Sequence, residues 1–308
     1  NLKSINYITM SISRQNLSIV IVTFESENVI HQCLESIDKE IPIIVVENSN
    51  NIEFKNNLEK KYKNIQCVLS GENLGMGTAN NLGITLSKTD YVLILNPDVV
   101  LEQNTLHELM IASEEINDFA IISPVSKNIE HPNYKILNNY QEKNNQNLPF
   151  NVKSVDGYAM LFNKKIMQEI NIQENTHNNK YFDENFFLYL ENDDLCKRVI
   201  EKKKNIFVVP KSKINHLGAS AVDKKHNYEV ELSRNWHWIW SKFYFNKKHV
   251  GFFKAFFDGF PGFFLSIFKV FFYFLVNKKF KRKIYLNRAL GFLNALIGKS
   301  SWYRPNIK

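Results

Sequence analysis

Short apolar runs alternate with segments of helical period through the first two thirds of the chain. Runs such as 18–24 and 91–95 are almost entirely apolar, which is typical of strands buried on both faces of a sheet. The predicted strands are 18–24, 41–46, 65–69, 91–95, 119–123, 157–162 and 206–209, and the predicted helices are 29–37, 75–86, 105–116 and 192–203. This order predicts an α/β fold in which helices cover both faces of a mainly parallel sheet.

Three other parts of the chain interrupt or follow this pattern. Residues 1–17 precede the first strand as an N-terminal extension, and they lack the basic region and apolar core of a secretory signal. Residues 128–151 are polar and rich in Asn, so we expect a long surface loop that can serve as a lid or contact a ligand. The composition changes after Arg234, which predicts an α/β domain over 18–234 and a helical element over 235–308.

The C-terminal element is rich in Phe and in basic residues. Residues 260–276 hold one Lys and no acid, but 17 residues are the lower limit for crossing a bilayer. Lys-rich segments flank this stretch, so we expect a helical hairpin that lies in a membrane interface. The alternative is a helical cap whose Phe side chains pack on the α/β domain or on another subunit.

The net charge of +8 comes from the same element. Residues 242–283 contain ten Lys or Arg against the single acid Asp258. Because these cations are interleaved with Phe, we expect an anionic membrane surface as the partner, and not nucleic acid. The three cysteines, Cys33, Cys67 and Cys196, lack the spacing of a zinc site or a disulfide framework, which fits a reducing cytoplasm.

Asn96-Pro97-Asp98 directly follows the apolar run 91–95. It places a carboxylate at the carboxyl end of a buried strand, where open α/β sheets bind ligands. Asp98 is an oxygen ligand of the kind that hard divalent cations prefer. The same three residues are also an ordinary turn sequence.

Glycines lie at the start of the helix predicted over 75–86. Gly75 and Gly77 resemble the beginning of a dinucleotide fingerprint, but Asn80 occupies the place of the third glycine. The pair also follows the third strand and not the first, so the pattern disfavours a dinucleotide-dependent dehydrogenase. The glycines either let the backbone approach a ligand or serve helix packing.

Several motifs, in this order, resemble the family 2 glycosyltransferases, particularly the rhamnosyltransferase-like branch. The segment 18–26 resembles the opening strand and nucleotide-binding turn of that family, 45–49 resembles its second strand, and 73–83 resembles its Asn/Gly-rich segment. The resemblance covers residues 18–235 and implies a GT-A type fold. It also implies that the nucleotide-sugar contacts Thr23, Glu25, Glu47, Asn73, Gly77, Asn80 and Asp98, with Glu47 in place of the usual Asp.

The resemblance also implies a metal site. Asn96-Pro97-Asp98 corresponds to the Asp-x-Asp motif of the family with its first acid replaced, and His216 corresponds to a late histidine that completes the coordination. Asp98 and His216 would hold a divalent cation beside the diphosphate of the donor. An imidazole ligand suits Mn²⁺ somewhat better than Mg²⁺.

The segment 182–198 resembles the part of the family that carries the catalytic base, a carboxylate that takes the acceptor hydroxyl proton. The family's usual base position holds Asn192, whose amide cannot serve. Glu191 is the first candidate, Asp194 the second and Asp193 the third. Asp194 can pair with Arg198, four positions later on a helix. Alternatively, these acids only place negative charge at a helix N-terminus.

These motifs together predict a glycosyltransferase that moves a sugar from a UDP- or dTDP-linked donor to an acceptor hydroxyl, with inversion at the anomeric carbon. Asp156-Gly157-Tyr158 resembles the start of the family's acceptor-side strand. The family implies synthesis of a bacterial surface polysaccharide on a glycan or lipid-linked acceptor, by a cytoplasmic protein at the inner membrane. A non-catalytic protein that binds nucleotide-sugar or a membrane partner is the alternative. A nucleotidyltransferase would need a basic Gly-rich loop after the first strand, which 23–26 does not provide.

Overall fold

The computed structural model describes residues 12–307, apart from 117, 129, 138–146, 171–179 and 219–220. Most of the predicted N-terminal extension and the middle of the predicted loop 128–151 therefore lie outside the described residues. So does most of the loop that precedes Phe182.

Strands and helices alternate as the sequence predicts. The strands are β1 Leu17–Thr23, β2 Ile43–Glu47, β3 Ile65–Leu69, β4 Tyr91–Leu95, β5 Val99–Leu101, β6 Ile121–Ser126, β7 Tyr134–Ile136, β8 Phe150–Val155, β9 Ala159–Asn163 and β10 Ile206–His216. The helices are α1 Ile30–Glu35, α2 Ile52–Lys61, α3 Met76–Leu86, α4 Thr105–Glu115, α5 Lys164–Met167, α6 Glu191–Glu201, α7 Asn227–His249, α8 Phe252–Leu275 and α9 Lys279–Leu296.

The described strands form one sheet in the order β3-β2-β1-β4-β9-β6-β10-β8-β7, with β5 beside β10. Adjacent strands are parallel from β3 to β4 and between β6 and β10, whereas β9 runs antiparallel to both of its neighbours. One apolar cluster covers each face of the sheet, around Ile21 and Leu93 on one side and Val20 and Ile94 on the other. The predicted mainly parallel α/β architecture is confirmed.

The register of the sheet brings several predicted site residues to one edge. Thr23 at the end of β1 pairs with Glu47 at the end of β2, and β4 ends beside them. Because these strands are parallel, their carboxyl ends lie together, as the general rule for ligand sites requires.

Strand β10 is longer than predicted, since it continues from Ile206 to His216. The predicted strand ends at Val209, and Pro210, which follows, cannot donate a ladder hydrogen bond. An irregularity between Val209 and Lys213 accommodates the proline. The extension matters because it carries His216 opposite Val99 on β5.

The polar segment 128–151 is also more ordered than predicted in its described parts. Strand β7 lies within it, and β8 begins at Phe150 and pairs with both β7 and β10.

Helix α2, which the sequence analysis left unassigned, is held by only two buried apolar residues, Phe54 and Leu58. Such sparse patterns carry little periodic signal.

The C-terminal region is helical, as predicted. Helix α7 begins at Asn227, within the predicted catalytic domain, and packs with α8 and α9 around Trp236, Trp240 and Phe292. It also contacts the catalytic domain, because the Ser241 hydroxyl donates to the Leu188 carbonyl over 2.8 Å. Helix α8 has 24 residues and is long and apolar enough to cross a membrane. Only 11% of its most apolar stretch of 18 residues is buried within the described structure.

Candidate active site

We call the carboxyl edge of the sheet, between the loops after β1, β2 and β4, the cleft, and Thr23 and Glu47 lie beneath it. Both side chains are fully buried, and the Thr23 hydroxyl donates to a Glu47 carboxylate oxygen. The second Glu47 oxygen accepts the Ser49 backbone N–H at 2.8 Å. Burial raises the pKa of Glu47, although these hydrogen bonds oppose the rise. The carboxylate therefore orders the loop after β2, and direct contact with a nucleotide remains a prediction.

Glu25 lies on the loop after β1, with a left-handed backbone (φ 52°). Its carboxylate faces His226 at 3.3 Å, and its carbonyl accepts the Asp223 N–H at 3.0 Å. The neighbouring Ser26 hydroxyl donates to the Ala221 carbonyl at 2.7 Å. The segment that follows β10 thus folds over the β1 loop and covers this end of the cleft.

The start of α3 is pressed against the segment that precedes α6. Gly75 has φ 80°, and a Cβ atom there would lie 2.2 Å from the Phe187 carbonyl oxygen. The Asn73 side chain caps this turn by accepting the Gly75 N–H at 3.1 Å. A Cβ atom on Gly77 would lie 3.6 Å from the Glu191 Cβ atom. Glycines at both positions therefore let α3 approach the helix that carries the predicted base.

Asp98 and His216 lie side by side, as a shared metal site requires. The Asp98 Oδ1 and His216 Nε2 atoms are 3.5 Å apart, and Asp98 is almost fully buried. Tyr158 stacks on the His216 ring with 4.1 Å between centroids. Among the described residues, Oδ1 of Asp98 has no hydrogen-bond partner. A buried carboxylate oxygen beside a histidine nitrogen fits a divalent cation, with the remaining ligands supplied by a diphosphate and water.

Glu191 is the first residue of α6 and follows two residues in left-handed conformation, Tyr189 (φ 71°) and Leu190 (φ 66°). Such strain in consecutive residues other than glycine is typical of functional sites. Burial raises the pKa of Glu191 to about 7, and the nearby Asp193 charge adds to the rise. Its Oε2 atom is buried without a hydrogen-bond partner in the described structure. A carboxylate with these properties can accept a proton near neutral pH.

Asp194, the second candidate, has a different environment. It is completely buried and pairs with Arg198 Nε at 2.9 Å, which confirms the predicted i,i+4 pair. Its other oxygen contacts Lys248 Nζ at 2.7 Å and His249 Nε2 at 2.8 Å. Lys248 also pairs with Asp183 at 2.8 Å. With both oxygens occupied, Asp194 holds α6 against the end of α7, a contact that we call the α6–α7 latch.

The Asp183 carboxylate completes the latch. Burial alone would raise its pKa, but hydrogen bonds from Lys248 and Asn185 outweigh burial, so that the pKa is lowered. The Tyr244 hydroxyl also donates to Asp183 at 2.9 Å. The C-terminal helical region is therefore bonded directly to the segment that presents Glu191.

Asn192 and Asp193 are engaged elsewhere. The Asn192 amide donates to the Val155 carbonyl at 3.0 Å, and Asp193 pairs with Lys135 of β7 at 2.7 Å. The pKa of Asp156 is raised by burial and by the Asp193 charge, while Lys135 and His216 oppose the rise. Asp156 therefore adds a further carboxylate near Asp193 and His216.

The sequence alone does not indicate where some of these residues lie. Asp156 and Tyr158 belong to the motif 156–158, but their position beside His216 depends on the course of β8 and β10. Lys248 and His249 carried no signal, because Lys and His are common on exposed helix faces.

Unsatisfied buried polar atoms concentrate in this cleft. Within the described residues, eight buried side-chain atoms lack a hydrogen-bond partner, and five of them belong to Asn48, Asn80, Asn96, Asp98 and Glu191. All five residues lie on α3, at the start of α6 or on the loops at this end of the sheet. Buried polar groups are normally paired, so this concentration points to a polar ligand.

Several known proteins resemble this chain over different lengths. Residues 18–170 match the sequence profile described as Glycosyl transferase family 2. The chain is 27% identical over 245 residues to the "Low-salt glycan biosynthesis hexosyltransferase Agl10" of Haloferax volcanii, a match that covers 71% of this chain and 69% of that protein. The solved structure "Crystal structure of S. aureus TarS 1-349" aligns with 94% of this chain and 93% of its own, with a TM-score of 0.49 and 14% identity. The profile match and the sequence similarity identify the α/β domain of this chain as a member of the family 2 glycosyltransferases.

Proposed function

We propose that this glycosyltransferase moves a hexosyl group from a UDP- or dTDP-linked donor to an acceptor hydroxyl, with inversion at the anomeric carbon. The supporting observation is the concentration of unsatisfied buried polar atoms along the edge that carries Asp98, Asn80 and Glu191. A nucleotide-sugar diphosphate, its cation and an acceptor hydroxyl would satisfy these atoms together. The cleft thus has separate partners for the donor and the acceptor.

On the donor side, Asp98 Oδ1 and His216 Nε2 would hold a divalent cation, Mn²⁺ or Mg²⁺. When bound, such a cation supplies Lewis-acid stabilisation of the departing diphosphate. Tyr158 fixes the plane of the imidazole by stacking, and the burial of Asp98 keeps its carboxylate in one orientation. Thr23, Glu25, Glu47, Asn73 and Gly77 shape the loops around the nucleotide.

On the acceptor side, Glu191 is the proposed base. It would take the proton from the acceptor hydroxyl while that oxygen attacks the anomeric carbon and the bond to the diphosphate breaks. The raised pKa matches the operating pH, which is the condition for efficient proton transfer. Asp194, whose oxygens are both occupied by cations, would serve as an anchor and not as the base.

The substrate class follows from similarity. The Haloferax volcanii relative is described as a hexosyltransferase of glycan biosynthesis. We therefore infer a glycan or lipid-linked acceptor in cell-surface polysaccharide synthesis, with rhamnosyl as one candidate among hexosyl groups. The Phe-rich basic region supports a cytoplasmic, peripheral location at the inner membrane, where lipid-linked acceptors lie.

A thermal-shift panel of UDP, dTDP and GDP, each with and without Mn²⁺, tests the donor assignment. A ligand selective for the folded state raises stability by about 2.7 kcal/mol at a hundred times its dissociation constant. We expect a shift with UDP or dTDP that requires Mn²⁺ and is lost in Asp98→Asn. A matched Asp223→Asn variant, altered on the covering segment, should retain it. No shift with any nucleotide would refute the donor assignment.

A non-catalytic protein that binds the nucleotide-sugar is the second candidate, because Asn96 and Asn192 replace family acids. It predicts the same thermal shift. Hydrolysis of the donor or sugar transfer by the purified protein would exclude it, whereas a shift without either reaction, over a panel of donors and acceptors, would favour it.

A further inference from the structure

Helix α8 exposes one continuous apolar stripe along its whole length. Seven side chains spaced three or four positions apart form it, which places them on one helix face. They are Phe253 (76% exposed), Phe257 (67%), Phe260 (37%), Phe264 (59%), Phe268 (65%), Phe271 (62%) and Leu275 (65%). Exposed apolar surface of this extent marks an interaction site.

The opposite face of α8 is already used for packing. Ala255 and Ser266 are buried there, and a Cβ atom on Gly259 would lie 2.4 Å from the Phe292 ring of α9. Phe263 also stacks on Phe292, with 5.2 Å between centroids. The stripe therefore points away from α7 and α9, and no described part of the chain covers it.

Cations border the stripe. Lys254 and Lys269 lie on α8 itself, and Lys281, Arg282 and Lys283 lie at the start of α9, where Arg282 sits 5.5 Å from the Phe274 ring. The one acid of this region, Asp258, is paired with Lys254 at 2.6 Å. The other four cations have no acidic partner among the described residues, and Phe side chains flanked by such charge suit a bilayer surface that contains anionic lipid.

The helix could in principle cross the bilayer, but its packing partners argue against this. Beside its first half, Lys242, Asp258 and Arg288 line a small cavity between α7, α8 and α9. A spanning α8 would draw these charges into the hydrocarbon region, where buried charges are costly. It would also draw in α7, which is bonded to the catalytic domain through Ser241.

We propose that α8 lies in the plane of an anionic membrane, with its Phe stripe inserted at the boundary between headgroups and acyl chains. In this orientation Lys254 and Lys269, about 22 Å apart along the axis at 1.5 Å per residue, both remain at headgroup level. The choice of a membrane as the partner rests on the proposed function, which locates the protein at the inner membrane. Vesicle binding is measured without donor or acceptor, so the two proposals can fail separately.

Flotation of the full-length chain with vesicles tests the surface. Vesicles of phosphatidylcholine with one third phosphatidylglycerol should bind the chain, and pure phosphatidylcholine should bind it on the order of tenfold more weakly. Phe264→Ser and Phe268→Ser should each weaken binding on the order of tenfold, because each removes an inserted ring. The control is Ile52→Ser, which alters a 62% exposed residue on α2 and should bind like the unchanged chain.

Two results would overturn the proposal. One is equal vesicle binding by the Phe264→Ser, Phe268→Ser and Ile52→Ser variants. The other is a dimer in light scattering, without vesicles, that either Phe substitution dissociates, since the stripe would then be an interface between two copies of the chain.

The orientation of the helix can be tested separately. Cys33, Cys67 and Cys196 are buried, so a single introduced cysteine can be labelled selectively. Fluorophores on Phe253→Cys, Phe264→Cys and Phe271→Cys should be quenched equally by lipids brominated close to the headgroup. A label at position 264 that lies much deeper than those at 253 and 271 would mean a spanning helix and refute the in-plane orientation.

Discussion

The substitution Glu191→Gln should destroy transfer activity and at the same time stabilise the protein at high pH. The glutamine keeps the shape of the side chain but carries no charge. Burial raises the pKa of Glu191 from 4.5 to about 7, so its charged form is disfavoured in the folded state. Each tenfold change in proton affinity corresponds to about 1.4 kcal/mol, so ionisation of the buried Glu191 destabilises the fold by about 3 kcal/mol at most.

The sign of this effect follows from proton linkage. A group whose folded pKa is raised stabilises the fold while it is protonated, and this contribution is lost as pH rises from about 4.5 through about 7. Above pH 7 the full cost applies to the unchanged chain and is absent in Glu191→Gln. The free energy of unfolding of the variant should therefore exceed that of the unchanged chain by up to about 3 kcal/mol at pH 8, and by little at pH 5.

Urea unfolding at pH 5 and pH 8 measures the stability difference, and a donor-transfer assay measures activity. Removal of a positioned base typically costs a factor of about 10² to 10⁴ in rate. Glu201→Gln is the matched control, because Glu201 lies at the other end of α6 with a 56% exposed side chain. An unchanged transfer rate in Glu191→Gln would refute the base assignment. Equal stabilities of the two chains at pH 8 would refute the reasoning about burial.

Three further predictions test the parts of the cleft separately. Asp98→Asn should abolish the Mn²⁺-dependent shift with UDP but leave the unfolding temperature without ligand unchanged or higher, because Oδ1 loses no hydrogen bond. Gly75→Ala should lower the free energy of unfolding by about 2 kcal/mol or more, because its methyl group would strike the Phe187 carbonyl. The control is Gly71→Ala, which has a similar φ of 85° but open space around it and should lose about 1 kcal/mol. Urea unfolding measures both. Asp194→Asn should destabilise the chain by about 3 kcal/mol or more, because it breaks a buried ion-pair cluster, and a loss below about 1 kcal/mol would contradict the latch.

The sequence predicted the parallel half of the sheet because its strands are buried on both faces. Runs such as 17–23 and 91–95 are apolar and short, and their alternation with helices leaves few possible topologies. It failed where tertiary contacts override local signals. Pro210 suggested the end of a strand, yet β10 continues to His216 because β5 and β6 pair with its second half.

The candidate site was predicted unevenly for the same reason. Asp98 and Glu191 were identifiable because each belongs to a motif next to a strand or a helix start. The sequence could not separate Glu191 from Asp194, three positions apart, since only packing decides which carboxylate is paired. Two of the partners of Asp194, Lys248 and His249, lie more than fifty positions away in the region predicted to contact a membrane or to pack on the domain.

The α6–α7 latch links the two proposals in one piece of geometry. His249, the last residue of α7, contacts Asp194, and Phe252 begins the exposed helix α8 three positions later. Glu191 begins the helix that Asp194 anchors. If α8 lies in a membrane surface, the latch therefore fixes the distance between that surface and the proposed base. Because one buried carboxylate held by two cations and a histidine is stiffer than an exposed ion pair, the acceptor hydroxyl of a lipid-linked substrate would meet Glu191 at a nearly constant height above the headgroups.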